Sequence, residues 1–178
     1  MRITNATCRQ SLGIDRKKPL QLYIYFDFDC SQEHGIHIPN LCVVHRVCQH
    51  CDHLPVDEIC KRCQDLGPRR HIFRGGETLK EFMEWLFQVS PNPQGQASCL
   101  LHKDPIVIAH NFKGYDGQII LNYLVHKACV TPTVNMNGSK ILSMQALDLK
   151  VIGSYNYLPF ALAKMPSAFG LKELKKRC

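Results

Sequence analysis

With 178 residues, a formal net charge of +7 and a mean hydropathy of −0.17, the chain is long enough for one domain with a real core. No apolar run approaches the roughly 18–20 residues that span a bilayer, and Met1–Arg16 lacks the apolar stretch of a secretory signal. A soluble, intracellular protein with no membrane partner is therefore the expectation. The basic balance favours a polyanionic partner such as nucleic acid, against the plainer reading of a merely basic surface.

In chain order, residues 1–20 read as a loose basic lead-in that ends at Pro19. Gln21–Asp29 alternates as a strand: Leu22, Ile24, Phe26 and Phe28 on one face, Tyr23, Tyr25, Asp27 and Asp29 on the other. Gly35–Val44 predicts a second strand, with Pro39 marking an edge or an irregularity. A cysteine-rich segment follows over 48–63, and His71–Phe73 reads as a short return strand. Thr78-Leu79-Lys80-Glu81 fits a capping box, and Leu79, Phe82, Leu86 and Val89 repeat at helical spacing until Pro91 and Pro93 end the helix. Ser90–Ala97 reads as a loop. Pro105–His110 predicts a buried strand, and Tyr115–His126 a helix. Asn137-Gly138 predicts a turn between strands at Thr133–Met136 and Lys140–Met144. Leu147–Ile152 predicts a further strand. Pro159 and Pro166 bracket a short helix, and charged helical residues finish the chain. This order predicts a mixed α/β sheet with flanking helices.

Three groups of residues carry candidate chemistry. Asp27 and Asp29, two apart on one strand, point the same way about 6–7 Å apart. They suit shared divalent ions; the plainer reading is a strand running out into solvent. Asp116 lies just after the buried strand, within His110–Asp116, where ligands bind in open α/β sheets. Its plainer reading is a helix cap. Three carboxylates from distant parts of the chain would then converge. The third group is cysteine. The chain holds ten, and five fall between Cys42 and Cys63, which in a reducing compartment argues for metal over disulfides. Cys48-x2-Cys51 and Cys60-x2-Cys63 can each turn both sulfurs onto one tetrahedral Zn2+. That makes a structural zinc knuckle inserted over 42–66; the alternative is free buried thiols. Cys42, His45, His50 and His53 are spare candidates.

These residues resemble the 3′–5′ exonuclease domain of protein-primed family B DNA polymerases, the enzymes of certain phages, adenoviruses, linear plasmids and Polinton (Maverick) transposons. Tyr25-Phe26-Asp27-Phe28-Asp29 resembles the first exonuclease motif. Asn111 through Tyr115-Asp116 matches the second. Ser154-Tyr155-Asn156-Tyr157-Leu158-Pro159 resembles the element that touches single-stranded DNA. The flanks His37–Leu41, Ala109–Gly117, Asn137–Lys140 and Leu158–Leu174 look most like the Polinton branch, and the similarity covers roughly 21–176. The resemblance implies a ribonuclease H-like fold over 21–178. It also implies two Mg2+ or Mn2+ ions held by Asp27, Asp29 and Asp116. Asn111, Tyr115, Ser154, Asn156 and Leu158 would position the 3′ end of single-stranded or primer-template DNA. In a full-length relative a terminal protein would serve as primer, and the setting would be DNA replication, in the nucleus.

Asp29 stands where the family has glutamate, and Gly153 where an aspartate precedes the serine. The family's third motif would follow Lys176, and the chain stops at Cys178. The expectation is accordingly a domain truncated at its C-terminus, without the polymerase palm and with a two-metal site that lacks the third motif's acid. Two alternatives stand beside it: a non-catalytic, zinc-containing DNA-binding remnant, and a stand-alone RNase H-like nuclease.

Overall fold

The computed structural model describes residues 21–33, 35–61, 67–89 and 105–170. Its centre is one seven-stranded mixed sheet in the order β3-β2-β1-β4-β7-β6-β5. The strands are β1 (Leu22–Glu33), β2 (Ile36–Cys48), β3 (Arg70–Arg74), β4 (Ile106–Ala109), β5 (Thr133–Asn137), β6 (Lys140–Ala146) and β7 (Leu149–Gly153). Helix α1 (Thr78–Val89) connects β3 to β4, and α2 (Gly117–His126) lies between β4 and β5. β1, β4 and β7 run parallel, and the outer pairings are antiparallel.

The alternation read in β1 is the one that builds the core. Leu22, Ile24, Phe26 and Phe28 are buried together with Cys42 and Val44 of β2, Val107 and Ala109 of β4, and Val151 of β7. The apolar stripe of α1 lies on this surface, with the Phe82 ring 5.0 Å from Phe26 and 5.3 Å from Phe28. Truncating Phe82 would cost roughly 3–5 kcal/mol, counting the lost burial and the cavity left behind. Ile120 and Leu124 bring α2 into the same core.

Several boundaries differ from the sequence reading, each for a physical reason. β1 does not end at Asp29: it runs to Glu33, because β2 stays paired with it across the hairpin. Asp27 and Asp29 are thus mid-strand, at the point where β1 outruns its other neighbour, since β4 pairs only with Tyr23–Phe26. The ladder is irregular between Asp29 and Cys30, where Asn40 is the extra residue and Pro39 faces Cys30. β2 continues past Val44 to Cys48, because Arg46 takes an inward position and keeps the buried alternation going.

The capping box does not form. The Thr78 hydroxyl turns back and donates to the Gly75 carbonyl at 2.8 Å, while the Glu81 amide donates to Glu77. Leu147 and Asp148 are not strand residues. They make the β6–β7 turn with φ of 49° and 60°, the left-handed pair a tight hairpin requires. Pro166 does not close a helix but sits in the first turn of a short one, Met165–Ala168, where its missing N–H costs nothing. The lead-in 1–20, the loop 90–97, and the charged C-terminal residues lie outside the described residues.

Candidate active site and cysteine centre

β4 and β7 end level with each other, Ala109 beside Gly153, and Phe26 of β1 pairs with Ala109. The next residues of three neighbouring strands, Asp27, His110 and Ser154, therefore emerge together at one edge of the sheet. His110 is clasped there. Its Nε2 lies 2.9 Å from the Phe160 carbonyl and its Nδ1 2.9 Å from Ser154 Oγ. A carbonyl only accepts, so a neutral His110 carries its proton on Nε2, and the Ser154 hydroxyl donates to Nδ1. The His110 carbonyl also accepts from the Tyr155 amide at 3.1 Å. Partial burial raises the pKa of Asp27, the neighbouring His110 lowers it, and the Asp29 charge raises it again.

Asp116 arrives from a different direction. The chain leaves β4 through Asn111 and winds as a π-helical turn, Phe112–Asp116, before α2 begins. The predicted helix thus starts earlier and wider than its sequence pattern indicates. Such single π turns recur at functional sites. Gly114 permits it: a Cβ there would come within 2.6 Å of Asn111 Nδ2. Tyr115 latches the turn to β1, its hydroxyl donating to the Phe28 carbonyl at 3.0 Å and its ring stacked on His37 at 5.5 Å.

Held this way, Asp116 is 0% exposed, and among the described residues neither carboxyl oxygen has a hydrogen-bond partner. It makes no side-chain cap bond, which removes the helix-cap reading. Burial, and then the charge of Asp27, raise its pKa to about 7. Burial and the Asp116 charge likewise push the Tyr115 hydroxyl up to about 12. Asp27, Asp29 and Asp116 thus share one electrostatic neighbourhood, though their oxygens do not all lie within 4.8 Å of one another, a spacing that among the described residues three cysteines meet.

The other sequence candidates divide. Asn111 is exposed beside Gly114, and Ser154 is engaged by His110. Asn156 donates to the Leu142 carbonyl at 3.2 Å, tying its segment to β6. The Leu158 amide donates to the Ser154 carbonyl at 2.9 Å. Sequence reasoning passed over His110 as a contact residue, and also Lys113, whose Nζ sits 4.2 Å above the Tyr155 ring. Position was the available signal for His110, the first residue after the buried strand. Gly153 also has its reason, since a Cβ there would lie 3.1 Å from Phe112 Cβ.

At the far end of the same β1–β2 ladder lies the cysteine centre. Cys48 closes β2, and Cys51 and Cys60 fold back to it, all three buried with ligand atoms within 4.8 Å of one another. The Cys48 amide donates to Cys51 Sγ at 3.1 Å, and the two sulfurs are 3.5 Å apart. Burial lifts the Cys51 thiol to about 11, the regime in which a dication is needed to draw out the thiolate. Cys63 lies outside the described residues. The spare candidates are elsewhere: His45 meets Arg69, His53 pairs with Asp52, His50 is exposed, and Cys42 is in the core.

No family profile matches the chain, and no curated protein matches it. Solved structures do. The fold resembles part of phi29 DNA polymerase. The polymerase bound to primer-template DNA aligns at a TM-score of 0.56 and 15% identity, over 89% of this chain and 25% of that one. Its complex with single-stranded DNA aligns at 0.55 and 16%, over 87% and 24%. The ternary complex with incoming nucleotides aligns at 0.55 and 16%, over 89% and 25%. The chain therefore spans about a quarter of the polymerase it matches, and at this identity the likeness establishes the fold. The phi29 enzyme is a protein-primed family B polymerase, the fold the motifs implied; the narrower Polinton assignment rests on the motifs alone. Among the described residues no helix is long and apolar enough to cross a membrane.

Proposed function

We propose that the chain is the exonuclease-domain portion of a protein-primed family B DNA polymerase, with a ribonuclease H-like fold. In this reading it binds the 3′ end of single-stranded DNA and hydrolyses the terminal phosphodiester with two Mg2+ or Mn2+ ions. The observation that carries this is Asp116, a fully buried carboxylate with both oxygens unsatisfied, beside Asp27. A buried unpaired carboxylate is costly, and Asp27 adds repulsion. Hard dications on oxygen donors would relieve both, so the residues present fit the group. Asp27 and Asp29 from β1 and Asp116 from the π turn would hold the ions. Bound there, the metals would lower the pKa of the attacking water and neutralise charge on the phosphate.

The chain's own residues supply the remainder. Tyr115 sets the height of Asp116 by its bond to β1. His110 orients the Ser154 hydroxyl and anchors the 154–160 segment, against which the strand's 3′ end would lie. Asn111, held beside Gly114, faces solvent where the terminal sugar would arrive. The thiols of Cys48, Cys51 and Cys60 would hold Zn2+, with Cys63 the candidate fourth ligand, as a structural centre. Polymerisation, a terminal-protein partner and nuclear replication would belong to a longer relative.

The reading is tested by incubating the purified chain with 3′-labelled single-stranded DNA and Mn2+ or Mg2+. Metal-dependent release of mononucleotides that Asp116→Ala abolishes is the expected result; release that persists in the variant points to a contaminating nuclease. Faster cleavage of an RNA strand would favour the stand-alone nuclease. A second reading, DNA binding without hydrolysis, is favoured by two observations: the spacing of the three carboxylates and the short side chain of Asp29. Tight binding of single-stranded DNA with no cleavage in either metal would decide for it.

A further inference from the structure

The segment between Cys51 and Cys60 has little apolar burial to fold it. Val56 and Ile59 are exposed, and Leu54 is half-buried. Besides the cysteines and a long surface ion pair from Arg70 to Asp57 at 3.7 Å, what gathers it is Arg69, an arginine only 3% exposed. Its Nη1 donates to the carbonyls of Leu54 at 3.3 Å, Pro55 at 2.7 Å and Glu58 at 3.4 Å. Its Nε donates to the Arg46 carbonyl at 3.4 Å, its Nη2 lies 3.3 Å from His45 Nε2, and its own carbonyl accepts from the Arg46 amide at 2.8 Å. These partners are neutral, and among the described residues no carboxylate lies within ion-pair distance of Arg69. A buried guanidinium without a counter-charge is expensive. The three loop acceptors of the Arg69 side chain, in Leu54, Pro55 and Glu58, lie between Cys51 and Cys60, two of the three cysteines whose sulfurs gather.

We propose that Arg69 is the positioning residue of a zinc–thiolate centre at Cys48, Cys51 and Cys60, fixing the chain between the second and third ligands through its carbonyl contacts. The loop is then folded from two sides, by metal and by guanidinium, and neither suffices alone. Lysine is a poor substitute, because a point charge cannot serve several carbonyls with the fixed geometry of a guanidinium fork.

The test is zinc affinity of the full chain by competition with a chromophoric chelator, with Co2+ substitution to read the thiolate-to-metal charge-transfer band. That band reports cysteine ligation and is blind to the carboxylate site, so the outcome is independent of the nuclease reading. Arg69→Gln should weaken zinc binding by about 10–100-fold, the usual effect of losing an outer-shell partner. Arg69→Lys should fall between, and Arg70→Gln, which removes only a long surface ion pair to Asp57 in the same segment, should stay within about twofold of the wild type. Equal affinity in wild type and Arg69→Gln, or no thiolate band in the wild type, overturns the proposal. Hydrogen exchange on the wild type guards against a variant that fails to fold. Chelation should speed exchange at 51–60 and leave β4 and β7 protected, and unchanged exchange at 51–60 overturns the proposal equally.

Discussion

At one end of the β1–β2 ladder, by the Leu22–Cys48 pair, three sulfurs face one another; toward the other end, from the Asp27–Val43 pair onward, three carboxylates share an electrostatic neighbourhood. Five steps along the strand separate the two, about 17 Å at roughly 3.3 Å per residue. The sulfur end is built from a single stretch of 13 residues, Cys48 to Cys60, with a buried guanidinium held against the loop. The carboxylate end draws on β1 and on a π turn 87 residues away, joined by the Tyr115–Phe28 hydrogen bond. It is left with like charges and an unsatisfied buried acid. One end is arranged to be stable and the other stores repulsion, the division expected of the structural zinc centre and the catalytic carboxylate centre proposed above.

Removing Asp116 breaks the contrast most sharply. Asp116→Ala or Asp27→Ala should reduce metal-dependent DNA degradation to background, read by gel with both metals. Asp116→Asn should do the same while stabilising the fold. Because the folded carboxyl holds its proton more tightly than the unfolded one, wild-type stability should fall as pH rises from about 4 to about 7 and level off above. Asp116→Asn should lack this decline and exceed the wild type at pH 8 by on the order of 1–3 kcal/mol, with no advantage below pH 4. Urea unfolding of both proteins across this range checks the sign.

The sulfur end should respond in the opposite direction. Cys60→Ser, or stripping zinc from the wild type with a zinc-selective chelator that is removed before Mg2+ or Mn2+ is supplied, should lower the melting temperature by about 2–8 °C and leave DNA cleavage within a few-fold; calorimetry and the cleavage assay together separate the two ends. Asp29→Glu, which extends the carboxylate toward the site by a methylene, should raise metal-dependent turnover several-fold if reach is what limits the carboxylate end. The smallest effect belongs to Ser154→Ala. Losing its bond to His110 should cost about 0.5–1.5 kcal/mol, seen as a higher KM for the DNA strand with kcat nearly unchanged.

What could be read from the sequence was what neighbours in the chain decide. The alternation of Leu22 to Phe28 and the stripe Leu79–Phe82–Leu86–Val89 appear in place, because side chains two or three to four residues apart share a face in any strand or helix; the hairpin signalled by Asn137-Gly138 is also present, its turn made one residue later by Gly138 and Ser139. Cys48 and Cys51 meet for the same local reason. The acids at 27, 29 and 116 were identified by residue type and motif, but their condition was not. That Asp116 is sealed, that Tyr115 spends its hydroxyl on β1, that His110 grips Ser154 from 44 positions away, and that Arg69 is drawn inside to hold a loop all depend on β4 and β7 ending level beside β1, and on β2 running through to Cys48. Burial and charge coupling are properties of what packs around a group. The chain reports which groups exist, whereas the ordering of seven strands determines which of them lose water and which face a like charge.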